Sequence, residues 1–248
     1  AVVDCNKFSQ DGPAQLSMYD IAHMFEAAGW ATRVLDNGNN YENIHRTLNV
    51  IRPGHGPWAI LLNTTKGNGV PDFEGTWQSH FGFPGVVYPA HSLYKSFGES
   101  VDAEMTKDEK VILVGADTLR DLQCYDLRDK YTNRIFDFGI AEQNAVSFAS
   151  ARALMGEKPI VATYACFLRR AFEQIYNQIT EGTQVTYVGS LAGSLDSSGP
   201  GISHQSLDDG EYMGRLMKVY VPNPSQVSEV LKECLNSNKP SYVRLLHG

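Results

Sequence analysis

The segment Trp58-Ala59-Ile60-Leu61-Leu62-Asn63-Thr64 is apolar at every position until its last two. A strand that is apolar on both faces has to be covered on both, which is the condition inside a parallel sheet flanked by helices. Its surroundings agree. Val2–Cys5 reads as a short buried strand, followed by a polar turn at Ser9–Pro13. Tyr19–Ala28 carries apolar residues at helical spacing (Ile21, Ala22, Met24, Phe25, Ala28) until Gly29 stops it. Ala31–Asp36 reads as a strand and Tyr41–Val50 as a helix. Such alternation specifies an α/β fold with a parallel sheet.

From Phe73 to Ala90 the periodicity stops, and Phe81-Gly82-Phe83-Pro84-Gly85 makes this stretch the expected linker. A second alternation follows. It runs through helix Leu93–Met105, strands Lys110–Gly115 and Ile135–Phe138, helix Glu142–Met155, strand Ile160–Thr163 and helix Leu168–Glu181. Strand Gln184–Ser190, a Gly/Ser loop, strand Lys218–Val221, helix Ser225–Asn236 and strand Ser241–Leu246 complete it. Two doubly wound parallel-sheet domains are expected, 1–88 and 89–248, the first of them incomplete.

Composition excludes some function classes. At 42% hydrophobic and 20% charged residues, the chain can bury a core. A net charge of −7, with no basic run beyond Arg169–Arg170, speaks against nucleic acid. No stretch approaches the length of a membrane span and the first residues are not a signal peptide. The dispersed cysteines (Cys5, Cys124, Cys166, Cys234) form no CxxC pair, so reduced thiols in a cytoplasmic protein are expected.

Four constellations bear chemistry. In Asp137-Phe138-Gly139-Ile140-Ala141-Glu142-Gln143-Asn144 a strand ends, a glycine turns the chain, and Glu142 opens a long apolar helix. The helix dipole stabilises an acid there, so capping alone would account for it. Its company suggests more. Tyr164-Ala165-Cys166-Phe167-Leu168-Arg169-Arg170-Ala171-Phe172 sets aromatics and two arginines at the C-terminal end of the next strand, where open α/β sheets bind ligands. An aromatic pocket beside a buried acid suits a flat, protonatable heterocycle, although core packing explains aromatics equally, Phe172 above all. Third, Asp4-Cys5-Asn6-Lys7-Phe8 beside Asp11-Gly12-Pro13 offers a carboxamide oxygen suited to Mg²⁺, or a simple Asx turn. Fourth, Asn63-Thr64-Thr65-Lys66-Gly67-Asn68-Gly69 is a Gly-rich loop that would line a phosphate or ring, or only turn the chain.

Taken in order, these motifs resemble the transketolase family, including 1-deoxyxylulose-5-phosphate synthase. Asp4–Gly12 resembles the end of the thiamine-diphosphate motif. Gly29-Trp30, Asp36-Asn37-Gly38, Thr64–Gly69 and Ser79-His80-Phe81-Gly82 resemble the rest of the diphosphate-binding domain. Gly115-Ala116-Asp117-Thr118, Asp137–Asn144, Tyr164–Ile175 and Gly201-Ile202-Ser203-His204-Gln205 resemble the pyrimidine-binding domain. The resemblance implies the thiamine-diphosphate-binding fold in both domains, with thiamine diphosphate and Mg²⁺ as cofactors. It implies that Glu142 hydrogen-bonds the aminopyrimidine and favours the imino tautomer that deprotonates the thiazolium carbon, with burial tuning the carboxyl. Tyr164 and Phe167 would pack around the pyrimidine, with Asp117 and Lys66 in the cofactor site. Asn6 and the backbone carbonyl of Phe8 would ligate Mg²⁺, and His80 would lie near diphosphate and substrate. His204 would assist proton transfer, with Arg170 near the acceptor. The implied reaction moves a two-carbon ketol unit from a ketose donor to an aldose or aldehyde acceptor. It would run in a dimer with an obligate interface of roughly 2,000 Å² or more.

Departures from the family pattern shape the expected substrate. Pro200-Gly201-Ile202-Ser203-His204 lacks the acid that contacts a donor hydroxyl, unless Asp196 reaches in. Leu191 stands where transketolases often carry a histidine, and His247 where many relatives carry a phosphate-binding arginine. Histidine lacks the planar fork of arginine and is only partly charged at pH 7, so an unphosphorylated donor or acceptor is expected unless Arg170 or Arg244 compensates. The family's GDG segment, source of a metal-ligating aspartate, is expected on a longer chain or a partner subunit. A heteromer is therefore an alternative to the homodimer, and these residues alone are expected to bind Mg²⁺ and cofactor poorly. Three rivals stay open: a synthase that decarboxylates pyruvate, a non-catalytic subunit, and a nucleotide-binding α/β protein, the last without a GxGxxG or Walker loop.

Overall fold

β1 (Val2–Asp4), α1 (Met18–Ala27), β2 (Ala31–Leu35), α2 (Tyr41–Val50) and β3 (Trp58–Leu62) build the first of two units, Ala1–Tyr88. The computed structural model describes residues 1–51, 54, 56–80, 92–193 and 201–246. The three strands are parallel, in the order β1-β3-β2. The apolar run of the central strand divides as the pleat requires: Ala59 and Leu61 pack with Ala22 and Phe25 of α1, while Ile60 and Leu62 pack with Leu35 of β2 and Ile44 of α2. Ser17 begins α1 with a reciprocal cap to Asp20, and the Asn40 side chain caps α2.

Two expectations for this unit need correction. Val2 is 58% exposed rather than buried, because among the described residues β1 pairs with β3 alone. The aperiodic stretch is not linker from Phe73 onward. The Phe73 carbonyl accepts from the Thr76 amide and hydroxyl, and Trp77–His80 closes a 3₁₀ turn. Residues 81–90 lie outside the described residues.

The second unit, Pro89–Gly248, comprises α3 (Ser92–Lys107), β4 (Val111–Gly115), α4 (Leu127–Lys130), β5 (Ile135–Asp137), α5 (Glu142–Leu154) and β6 (Lys158–Tyr164). Then come α6 (Ala165–Leu168), α7 (Phe172–Thr180), β7 (Thr186–Ala192), α8 (Asp209–Gly214), β8 (Lys218–Tyr220), α9 (Val227–Asn236) and β9 (Ser241–Leu246). Its six parallel strands run β5-β4-β6-β7-β9-β8. Alternate residues serve opposite cores. Val111, Leu113, Ile160, Val188 and Val243 meet α3 and α9, whereas Ile112, Val114, Val161, Tyr187 and Tyr242 meet α5 and α7. Helices thus cover both faces. Gly98 lets α3 approach, since a Cβ there would stand 2.5 Å from the Gln123 carbonyl oxygen.

The helix expected over Leu168–Glu181 is instead α6, a 3₁₀ turn at Arg169–Ala171, and α7. The cause is tertiary: the turn aims Arg169 at Asp208 and Arg170 at Glu142. α4 and α8 were not expected, being too short for periodicity to register. From β4 the chain steps to β5 on one side and then crosses to β6 on the other, so the strand order reverses beside β4. The crevice beyond such a reversal is where doubly wound sheets hold ligands. Among the described residues no helix is long and apolar enough to cross a membrane.

Candidate active site

Glu142 is the first residue of α5 and is 3% exposed. It is not a cap: Ala141 occupies the N-cap position with no side-chain bond, and Glu142 instead accepts from Arg170 Nη1 at 3.0 and 3.3 Å. A buried carboxylate without such a partner would be costly, so Arg170 makes this burial tolerable. Arg170 comes from the 3₁₀ turn that splits the expected helix, and its side chain stays 49% exposed. Its guanidinium also lies 4.8 Å from the centre of the Phe167 ring.

The rings form one cluster. Phe167 lies 5.2 Å from Tyr164 and 5.3 Å from His204, and Tyr164 and His204 meet edge-on at 6.0 Å. Tyr164 ends β6, and its hydroxyl donates to the Asp121 carboxylate. Phe172, by contrast, is 37% exposed and meets Tyr212, so it is neither core nor part of this cluster. Asp117 follows β4 in the left-handed region at φ 56, strained for a residue other than glycine. Its amide donates to Asp137 Oδ1 at 3.0 Å, and the Gly139 amide donates to the same oxygen at 2.9 Å. Asp137 thus joins Asp117 to the turn that launches Glu142. Cys166, half-buried beside this group, has its thiol pushed up to about 11 by burial.

In the first unit Asn6 forms an Asx turn: its Oδ1 accepts from the Phe8 amide at 3.0 Å and its Nδ2 donates to Asp4 at 2.9 Å. Thr64 donates to Asp4 from the end of β3. Lys66 Nζ donates to the Ser9 carbonyl and to His80 Nδ1, both at 3.0 Å. Gly67 is forced to be glycine, with φ 72 and the Phe73 carbonyl oxygen 2.7 Å from where a Cβ would stand. Asp4, Asn6, Asn39, Thr64, Thr65 and Lys66 line a cavity of about 360 Å³.

The structure therefore gathers the sequence candidates into two groups, each within its own unit. Glu142, Tyr164, Phe167, Arg170 and His204 belong to one, and Asn6, Phe8, Lys66 and His80 to the other. Asp117 is tied to the turn before Glu142 through Asp137. Sequence reasoning missed Asp121 and Asp209, whose partners are distant in the chain, and the bond from the Asp117 amide to Asp137. Asp196 and His247 lie outside the described residues.

Arg244, like Arg170, is ion-paired within the second unit. Its Nε and Nη2 grip Asp209 at 2.7 and 2.9 Å, and Asp209 is fully buried. That contact raises the Arg244 pKa and commits its fork. Leu191, at φ 50, sits beside the register shift in β7, with its amide bonded to the Tyr94 hydroxyl at 3.0 Å.

Residues 90–247 match the family description "Transketolase, pyrimidine binding domain", and residues 1–99 match "Transketolase, thiamine diphosphate binding domain". The chain is 29% identical over 249 residues to a 1-deoxy-D-xylulose-5-phosphate synthase of Prochlorococcus marinus (strain NATL2A), covering 94% of this chain and 39% of that protein. It is 30% identical over 239 residues to the Natranaerobius thermophilus protein of the same name, covering 91% and 38%. The chain thus spans about two fifths of the length of these curated relatives. Among solved structures, "Split gene transketolase, inactive beta4 tetramer" aligns with a TM-score of 0.54 and 29% identity, over 61% of this chain and 50% of that one. Transketolase from Campylobacter jejuni aligns with a TM-score of 0.55 over 99% of this chain and 51% of that one, at 16% identity, a likeness of fold alone.

Proposed function

This chain belongs to the transketolase family, and from that premise we propose that it is part of a thiamine-diphosphate-dependent enzyme transferring a two-carbon ketol unit between carbonyl compounds. The observation that carries the reading is Glu142, a buried carboxylate beside the Tyr164–Phe167–His204 rings. The residues present fit the cofactor. A buried acid with aromatic walls suits an aminopyrimidine. Asp4, Asn6 and Phe8 offer the hard oxygens that Mg²⁺ takes alongside phosphates, and Asn6 Oδ1 keeps a second lone pair beyond its bond to Phe8.

When bound, thiamine diphosphate would supply an ionisable thiazolium C–H and an electron sink for the pair of a broken carbon–carbon bond. The chain's own residues do the rest. Glu142 would hydrogen-bond the aminopyrimidine edge, with the Arg170 guanidinium paired to its carboxylate. Tyr164 and Phe167 wall the ring and exclude water. Asp117 and Asp137 fix the turn before Glu142. Asn6 and the Phe8 carbonyl would hold Mg²⁺, with Lys66 directed to the diphosphate and His80 to the substrate. His204 moves the substrate proton.

The substrate reading is an unphosphorylated ketose donor or aldehyde acceptor. Arg169, Arg170 and Arg244 are each engaged by a carboxylate, which supports it. A second reading, a synthase that decarboxylates pyruvate, is supported by the names of the curated relatives. Assembly with further subunits or with a second copy is supported by likeness to a split-gene transketolase. Assay of the holoenzyme against ketoses, ketose phosphates and pyruvate tests all of this. Strong preference for xylulose 5-phosphate would sink the unphosphorylated reading, and carbon dioxide release from pyruvate would select the synthase. Unchanged turnover in Glu142→Ala would leave the chain a non-catalytic subunit.

A further inference from the structure

His204 stands on a single 3₁₀ turn, Ile202–His204, whose neighbour Ile202 is 85% exposed. Among the described residues its contacts are slight: two edge-on rings and the Ser203 hydroxyl 3.0 Å from Nδ1. Such a turn does not hold a side chain in place by itself. What fixes it lies two residues on. The Ser206 carbonyl accepts from the Gly193 amide at 2.9 Å and from Arg244 Nη2 at 3.2 Å, and the Ser206 amide returns a bond to Gly193. Arg244 is rooted in β9 and grips Asp209, the first residue of α8, with both arms of its fork. Tyr242, from the same strand, donates to Asp209 at 2.7 Å.

We propose that Arg244 is a positioning residue that sets His204 against the Phe167 and Tyr164 rings, by clamping Ser206 and Asp209 to the central sheet. A fork is needed because one guanidinium must reach a carbonyl and a carboxylate together, which an ammonium on a flexible stem does poorly. Only the catalytic use of His204 rests on the proposed function; the clamp itself does not.

The test reads the loop and not turnover. Carbethoxylation of His204 in the full chain is followed by mass spectrometry in wild type and in Arg244→Lys, which keeps a positive charge beside Asp209. His23 and His45, exposed on helices of the first unit, serve as internal controls. The expected result is His204 reacting about fivefold faster in the variant, as for a locally opened segment, with both controls unchanged. Leu231→Ala in α9 lowers stability from the opposite face of the sheet and should leave His204 at its wild-type rate. No acceleration in Arg244→Lys, or equal acceleration in Leu231→Ala, would overturn the proposal. If Arg244→Lys fails to fold, Arg244→Met/Asp209→Leu removes both charges together and answers the same question. If neither folds, hydrogen exchange of wild type decides. A Ser206 amide protected like that of Val243 supports the clamp, and one exchanging like an exposed loop overturns it.

Discussion

Arg170 Nη1 donates to both carboxylate oxygens of Glu142, at 3.0 and 3.3 Å, linking a half-open cation to an anion that water barely reaches. The asymmetry matters. Arg170 keeps part of its hydration when the pair breaks, whereas Glu142 does not.

Removing the partner should therefore cost more than removing the acid. Arg170→Ala is expected to destabilise the protein by about 2–3 kcal/mol, below the range for a fully buried pair because Arg170 is half exposed. Glu142→Gln should cost about 1 kcal/mol or less, and the double variant should recover most of the Arg170→Ala loss. Urea unfolding of the four proteins measures the cycle.

The second unit should be alkali-labile. Burial raises Tyr94 from 10 to about 12 and raises Tyr187 and Tyr242 further. Each folded-state value lies above the unfolded one, so the contribution of these three tyrosines is fully present below about pH 10 and falls as the unfolded chain alone releases their protons. With three such groups the slope between pH 10 and 12 should approach about −4 kcal/mol per pH unit. Tyr187→Phe should remove about a third of it, read from urea midpoints across that range.

Gly189→Ala should be poorly tolerated. Its Cβ would stand 2.1 Å from the Tyr242 hydroxyl, which is buried and bonded to Asp209, so neither group can step aside. A loss of about 1–3 kcal/mol is expected, partly relieved in Gly189→Ala/Tyr242→Phe. Thermal unfolding of both variants checks this.

Much of the architecture was legible because periodicity is a local signal. The run Trp58–Leu62 announced a strand covered on both faces, and Ile60 and Leu61 do face opposite helices. The site was legible only in part. Glu142, Tyr164, Phe167 and His204 stood out by position and motif. Asp121 and Asp209 did not, because each acts on a partner that only folding brings near. The split of the expected helix at Arg169–Ala171 has the same origin: propensity favours continuity, and two ion pairs override it. At Asn6 the chain offered an Asx turn and a cation ligand as equal readings, and the turn is present.

Activation of thiamine diphosphate by Glu142, as proposed above, is read by deuterium exchange at the thiazolium carbon of the cofactor bound to the holoenzyme, followed by rapid quench and proton NMR. Wild type should exchange at least about 100-fold faster than Glu142→Gln, the low end for loss of a positioned acid–base group, with cofactor occupancy matched between the two. Equal exchange rates at equal occupancy would contradict the assignment.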